Sequence, residues 1–183
     1  MSNADWAAEL ARKLLEVPLP RRWAHVQGVA ARARSLAPIL GGDADLLSAA
    51  AWLHDIGYSP ELADTGFHPL DGARYLRDVE HADSSLCRLV ANHSCAILEA
   101  TERGLAEVLS REFPSPDPKL TDALAYCDMT TTPTGDVVSV HDRISEIVGR
   151  YGPQDVVTRF IRKAEPYLVS CVARTDQRLF LAQ

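Results

Sequence analysis

Several residues of this chain occupy helix faces where their types are costly unless they bind something. His93 continues the apolar row of Leu86, Leu89 and Val90 at i+4 from Leu89 and i+7 from Leu86, so it points inward. His54 follows Ala50 by four residues and Leu47 by seven, Asp128 extends the row Leu120–Leu124, and His25 precedes Val29 by four. A carboxylate on an apolar face is unfavourable unless it is paired or coordinates a metal. Taken singly, an inward histidine is more often a hydrogen-bonded core residue, and an inward aspartate near a helix end often caps the next turn. Taken together, they would need a separate coincidence each to be inert.

The dipeptide His54-Asp55 is weak evidence alone, because the chain contains a second copy at His141-Asp142. The second copy follows Ser139 and reads as a capping box at a helix start. It has no later histidine and no clear apolar row behind it, so it reads as structural. The first copy has inward histidines on both sides and an inward aspartate beyond.

The elements that must position these residues are helical almost throughout, and no segment alternates convincingly at period two. The spacing predicts helices from about Asp5 to Glu16, from near Arg21, and from an Asp43 cap to about Asp55. An irregular loop over 57–67 precedes helices at about His68–Asp78 and Asp83–His93. Another covers roughly Cys95–Phe113, with a break expected at Gly104. After Pro114-Ser115-Pro116-Asp117-Pro118 comes a helix at about Lys119–Met129, then a loop from Thr130 to Gly135. The last two helices begin near Val140 and Gln154, and Pro166 is expected to kink or interrupt the final one. The fold class is all-α, a helical bundle forming a single domain over 1–183.

The chain has 183 residues and a formal net charge of -6. No basic surplus exists for a phosphate backbone, so broad nucleic-acid binding is not expected, although a local arginine cluster could hold a small phosphorylated ligand. No stretch approaches the ~20 apolar residues of a membrane span, and the first turns carry Asp5, Glu9, Arg12 and Lys13 rather than a signal-peptide core. The four cysteines, Cys87, Cys95, Cys127 and Cys171, form no CxxC pair and read as reduced thiols. The expected location is cytoplasmic.

With these residues in place, Ala50-Ala51-Trp52-Leu53-His54-Asp55-Ile56-Gly57 resembles the central signature of the HD superfamily of metal-dependent phosphohydrolases. His25 in Arg22-Trp23-Ala24-His25-Val26 matches that family's first histidine, and Asp128 in Ala125-Tyr126-Cys127-Asp128 its distal aspartate. Phe67-His68-Pro69-Leu70-Asp71-Gly72-Ala73 and Ala91-Asn92-His93-Ser94 look like the two extra histidine motifs of its dinuclear members. Among these are HD-type symmetrical diadenosine-tetraphosphate hydrolases and cyclic-dinucleotide phosphodiesterases. The resemblance covers about 20–132. It implies one metal held by His25, His54, Asp55 and Asp128, and a second by His68 and His93 with Asp55 bridging. Asp55 is then also the catalytic residue, joining both metals and the activated water.

Four imidazoles and two carboxylates suit two divalent transition-metal ions, iron or manganese first and then cobalt or nickel, better than magnesium or calcium. Three residues after Asp55, Tyr58 stands where several HD hydrolases carry lysine or glutamate; it is read either as a substrate contact or as a loop anchor. Arg21, Arg22 and Arg74 are phosphate-binding candidates. Thr130, Thr131 and Thr132 could offer hydroxyls or simply make a turn. The resemblance implies hydrolysis of a phosphoester or phosphoanhydride of a nucleotide or other small phosphorylated metabolite. A non-haem diiron HD-type oxygenase and a non-catalytic metal- or nucleotide-binding module are the alternatives.

Overall fold

A computed structural model describes residues 2–182. α1 (Asn3–Leu15) is capped by Ser2, whose hydroxyl accepts from the Asp5 N–H while Asp5 accepts in return. The chain then turns into α2 (Pro20–Ser35) and the single turn α3 (Ala37–Leu40). A 3-10 turn over Gly41–Asp43 leads into α4 (Ala44–Leu53). Asp43 does stand at the N-cap of α4, but its side chain makes no capping bond. Its backbone already belongs to the 3-10 turn, with φ -85 and ψ -3, rather than to the extended conformation that lets a cap side chain fold back.

α4 stops at Leu53, earlier than the expected Asp55, so His54 and Asp55 sit in the turn that follows. A 3-10 turn over Ile56–Tyr58 and a loop bring the chain to α5 (His68–Asp78). α6 (Ser84–Asn92), capped by Asp83, likewise ends one residue early, and His93 opens a 3-10 turn. The expected break at Gly104 separates α7 (Ala96–Glu102) from α8 (Ala106–Glu112), with φ +72 at that glycine. Asp117 accepts from the Lys119 and Leu120 N–H groups to start α9 (Pro118–Met129).

Among the described residues there is no strand; the 130–135 loop closes through one isolated bridge between Thr131 and Val137. α10 (Val140–Tyr151) starts on Ser139, whose hydroxyl accepts from the Asp142 N–H. α11 (Val156–Leu181) runs unbroken through Pro166. The expected interruption fails because Pro166 lies on the exposed face, where water can satisfy the carbonyl that its missing N–H leaves free.

The class is therefore all-α. α4 is central, with α1, α2, α6 and α9 against it, while α11 packs on α7, α9 and α10. One apolar core extends from Ala7 in α1 to Val172 in α11. Among the described residues no helix is long and apolar enough to cross a membrane.

Candidate metal centre

Two close glycine contacts dock the segments that carry the histidines. A Cβ on Gly57 would lie 2.0 Å from the His68 carbonyl oxygen and 2.7 Å from the Gly72 nitrogen. Only glycine lets the turn after Asp55 press against the first turn of α5, which sets His68 beside Asp55. On the other side, a Cβ on Gly28 would meet the Gly135 carbonyl oxygen at 2.4 Å and Thr131 Cγ2 at 2.7 Å. That contact seats the 130–137 loop on α2 and brings the Thr132 carbonyl to His25.

Three imidazoles are oriented in the same way. Nδ1 of His25 lies 2.9 Å from the Thr132 carbonyl, Nδ1 of His54 2.9 Å from that of Ala51, and Nδ1 of His93 2.7 Å from that of Val90. A carbonyl only accepts, so each Nδ1 carries the proton and each Nε2 offers a lone pair to the centre. His25, His54 and His93 are all buried. His68 is fixed differently: its ring stacks on Tyr58 with centroids 3.9 Å apart, and the Arg22 guanidinium lies 4.0 Å from the centroid of the same tyrosine ring.

The two carboxylates meet these lone pairs. Asp55 Oδ2 lies 3.4 Å from His54 Nε2 and 3.8 Å from His25 Nε2, while its Oδ1 lies 3.3 Å from His68 Nε2 and 3.9 Å from His93 Nε2. Asp128 Oδ1 is 3.1 Å from His25 Nε2 and 3.9 Å from His54 Nε2. Two trios result, His25–His54–Asp128 and Asp55–His68–His93, each with one donor atom per residue within 4.8 Å of the others. Asp55 turns one oxygen to each trio.

The donor set fits divalent metal. Ligand atoms about 2.1 Å from an ion, at angles of roughly 90–110°, stand about 3.0–3.4 Å apart. His54 Nε2 is fully buried and has no hydrogen-bond partner among the described residues. The pairs His25 Nε2–Asp128 Oδ1 and His68 Nε2–His93 Nε2, at 3.1 and 3.2 Å, each bring acceptor lone pairs together. Such pairs need a cation, proton or metal, between them.

Electrostatics favour the protonation states in which these groups could bind a metal. Burial pushes the Asp55 carboxyl up, but Arg22, donating to its Oδ2 at 2.6 Å, together with His54 and His68 outweighs burial and holds it well below the usual carboxylate range. Burial lowers His68 to about 4 and also pushes His93 down, the latter with help from His54, so both rings are neutral at pH 7.

Arg22 is therefore brought into the centre, and Arg21 lies exposed at its rim. Tyr58 lines the cleft and anchors His68 by stacking. Arg74 is not brought there. Six residues after His68, it is rotated about 120° around α5 and forks onto Glu112 at 2.6 and 3.1 Å. The Thr130 and Thr131 hydroxyls turn back to the carbonyls of Tyr126 and Cys127, and that of Thr132 stays within its own loop, so the loop serves through its Thr132 carbonyl. His141 is exposed at the start of α10, apart from both trios.

Ser94 and Arg143 carry roles that sequence reasoning did not assign. Ser94 donates to Asp128 Oδ2 at 2.5 Å, from a left-handed backbone (φ 47) followed by a second left-handed residue, Cys95 (φ 62). Its place directly after His93 was the only signal. Arg143, on α10, is 5% exposed and lines the cleft above the centre. The signal was available: Arg143 stands three residues after Val140 and four before Ile147, on an apolar face. The cleft holds about 80 Å³ and has an apolar wall from Ile147, Val157, Phe160 and Ile161.

A family model described as HD domain matches residues 22–145, well over half of the 183 residues. Neither the curated proteins nor the solved structures give a match. Since all six clustered histidines and aspartates fall inside the matched span, the signature and the geometry agree, and the chain belongs to the HD-domain family.

Proposed function

We propose that this chain is a metal-dependent phosphohydrolase acting on a small phosphorylated metabolite. The observation that carries the reading is Asp55, whose two oxygens face two different sets of nitrogen ligands. His25, His54, Asp55 and Asp128 would hold one ion, and His68, His93 and the other Asp55 oxygen a second, with manganese or iron the best match to the nitrogen-rich donors. Such a pair supplies Lewis acidity toward a phosphoryl oxygen and acidifies a water.

The protein's own groups do the rest. Thr132, Ala51 and Val90 fix three imidazoles through their carbonyls, so little reorganisation is needed when ligand lone pairs are used. Arg22 orients Asp55 and stands beside the cleft, where a guanidinium can also meet a phosphoryl oxygen. The apolar wall from α10 and α11 excludes bulk water and strengthens those charge interactions.

Metal analysis of protein saturated with manganese should give about two ions per chain. A screen of that protein against nucleotides, dinucleoside polyphosphates and sugar phosphates should release phosphate from at least one class. Full metal loading with no turnover of any phosphate, together with substrate-dependent oxygen uptake by the iron-loaded form, would sink this reading in favour of oxygenase chemistry.

A further inference from the structure

A second cleft, of about 260 Å³, opens beside the first and shares Arg22, Arg143 and Arg150 with it. It reaches His25 at one end, and Arg21 completes a lining of four arginines among proline and leucine side chains. Among the described residues no carboxylate lines it. In a chain with a net charge of -6 that is a marked local reversal of sign. The groove beside Arg74 makes the contrast, because Glu61, Asp64, Asp71 and Asp78 all line it and Arg74 is the lone cation there among the described residues.

The cationic lining is only partly neutralised from behind, with two carboxylates set against four guanidinium groups. Arg143 and Arg150 both rest on a single oxygen of Glu146, at 2.5 and 3.0 Å. Arg22 shares Asp55 with the histidines, and Arg21 forms no ion pair among the described residues. Arg143 Nε is buried and has no hydrogen-bond partner among the described residues. A buried unpartnered guanidinium N–H is costly and calls for an acceptor.

Resting on the phosphohydrolase reading, we propose that the substrate is a small molecule bearing two phosphate groups, one seated at the histidine–aspartate centre and the other in the cleft of Arg21, Arg22, Arg143 and Arg150. The three arginines common to both clefts stand between the two groups. Planar guanidinium forks suit phosphate oxygens better than any other charged side chain. The two phosphates can be joined directly, as in an anhydride, or sit on separate carbons.

Calorimetric titration of the manganese-loaded protein, at matched free manganese, distinguishes these cases with three ligands that resist hydrolysis. They are methylphosphonate, methylenediphosphonate and 1,3-propylenediphosphonate. At least one diphosphonate should bind about tenfold tighter than methylphosphonate or better, the size of one or two charge-assisted contacts. The short one winning indicates an anhydride-like substrate, and the long one a bisphosphate. The preference should fall to about threefold or less in Arg143→Gln and in the double variant Arg21→Gln/Arg150→Gln. Because Arg143 is buried, the double variant at exposed positions decides the matter should Arg143→Gln fail to fold. Equal binding of one- and two-group ligands overturns the proposal, as does a preference undiminished in the variants, since the metals alone would then hold both groups. Turnover of p-nitrophenyl phosphate without any diphosphonate preference leaves the hydrolase reading intact and removes this one. An arginine-dependent preference without turnover of any phosphate supports the cleft assignment and removes the hydrolase reading.

Discussion

Asp55 differs in kind from the histidines around it, because each of its oxygens faces a different trio. Asp55→Ala should therefore abolish binding at both positions, leaving about zero ions per chain after dialysis against saturating manganese. His68→Ala or His93→Ala should leave about one, since His25, His54, Asp55 and Asp128 remain. Two ions retained in Asp55→Ala would remove its bridging role, and two retained in both histidine variants would return those rings to the core. The residues that hold these ligands in place were far harder to find in the sequence than the ligands. Inward histidines stand out on apolar faces, whereas the Thr132 carbonyl has no residue-type signature and the left-handed backbone of Ser94 and Cys95 has none either. Left-handed non-glycine residues cost on the order of 1–3 kcal/mol each. Here they coincide with the hydroxyl that fixes Asp128.

At the scale of elements, the turn after α4 and the start of α5 are locked together by Gly57, and the lock is testable against a glycine that does nothing similar. Gly57→Ala would force Cβ to within 2.0 Å of the His68 carbonyl oxygen, and should cost about 3 kcal/mol or more because backbone must move. Gly149 lies inside α10 with nothing within 4 Å of where a Cβ would sit. Gly149→Ala should gain about 0.5–1 kcal/mol, since alanine loses less entropy in a helix. Urea unfolding of both variants checks the pair, and coincident midpoints would refute the close-contact account of Gly57. Helical periodicity disclosed nearly every long element, because an apolar stripe at i, i+3 and i+4 is what burial on one face requires. It could not disclose that α4 and α6 stop just before His54 and His93. Those stops coincide with the ring nitrogen bonding a carbonyl three residues back, at Ala51 and Val90. Nor could it disclose that Pro166 leaves α11 uninterrupted, since that depends on which face of α11 meets water.

For the whole molecule, this arrangement predicts that metal binding and folding are linked without being the same event. The apolar core spans elements from α1 to α11 and is built from residues other than the six histidines and aspartates of the centre. Within the centre, Arg22 on Asp55, Ser94 on Asp128 and the carbonyls on three Nδ1 atoms already compensate most of the buried polar groups. His54 Nε2 and the facing lone pairs remain as the uncompensated part. Chelation should accordingly leave a folded helical protein of lower stability, unlike a small domain whose folding waits for its metal. At a hundredfold excess over its dissociation constant, one ion adds about 2.7 kcal/mol. In a chain of this length that corresponds to a rise of roughly 5–10 °C in Tm. Far-ultraviolet circular dichroism at room temperature should show the same helix content in the chelated and manganese-loaded protein, with the thermal midpoint moving by that amount at hundredfold excess and climbing further with the logarithm of free metal. Loss of helical signal on chelation would make the centre a folding nucleus instead, and an unmoved midpoint at saturating manganese would mean that the ion does not bind the native state. Asp55→Ala supplies the control, because a protein that binds neither ion should melt at one temperature whether or not manganese is present.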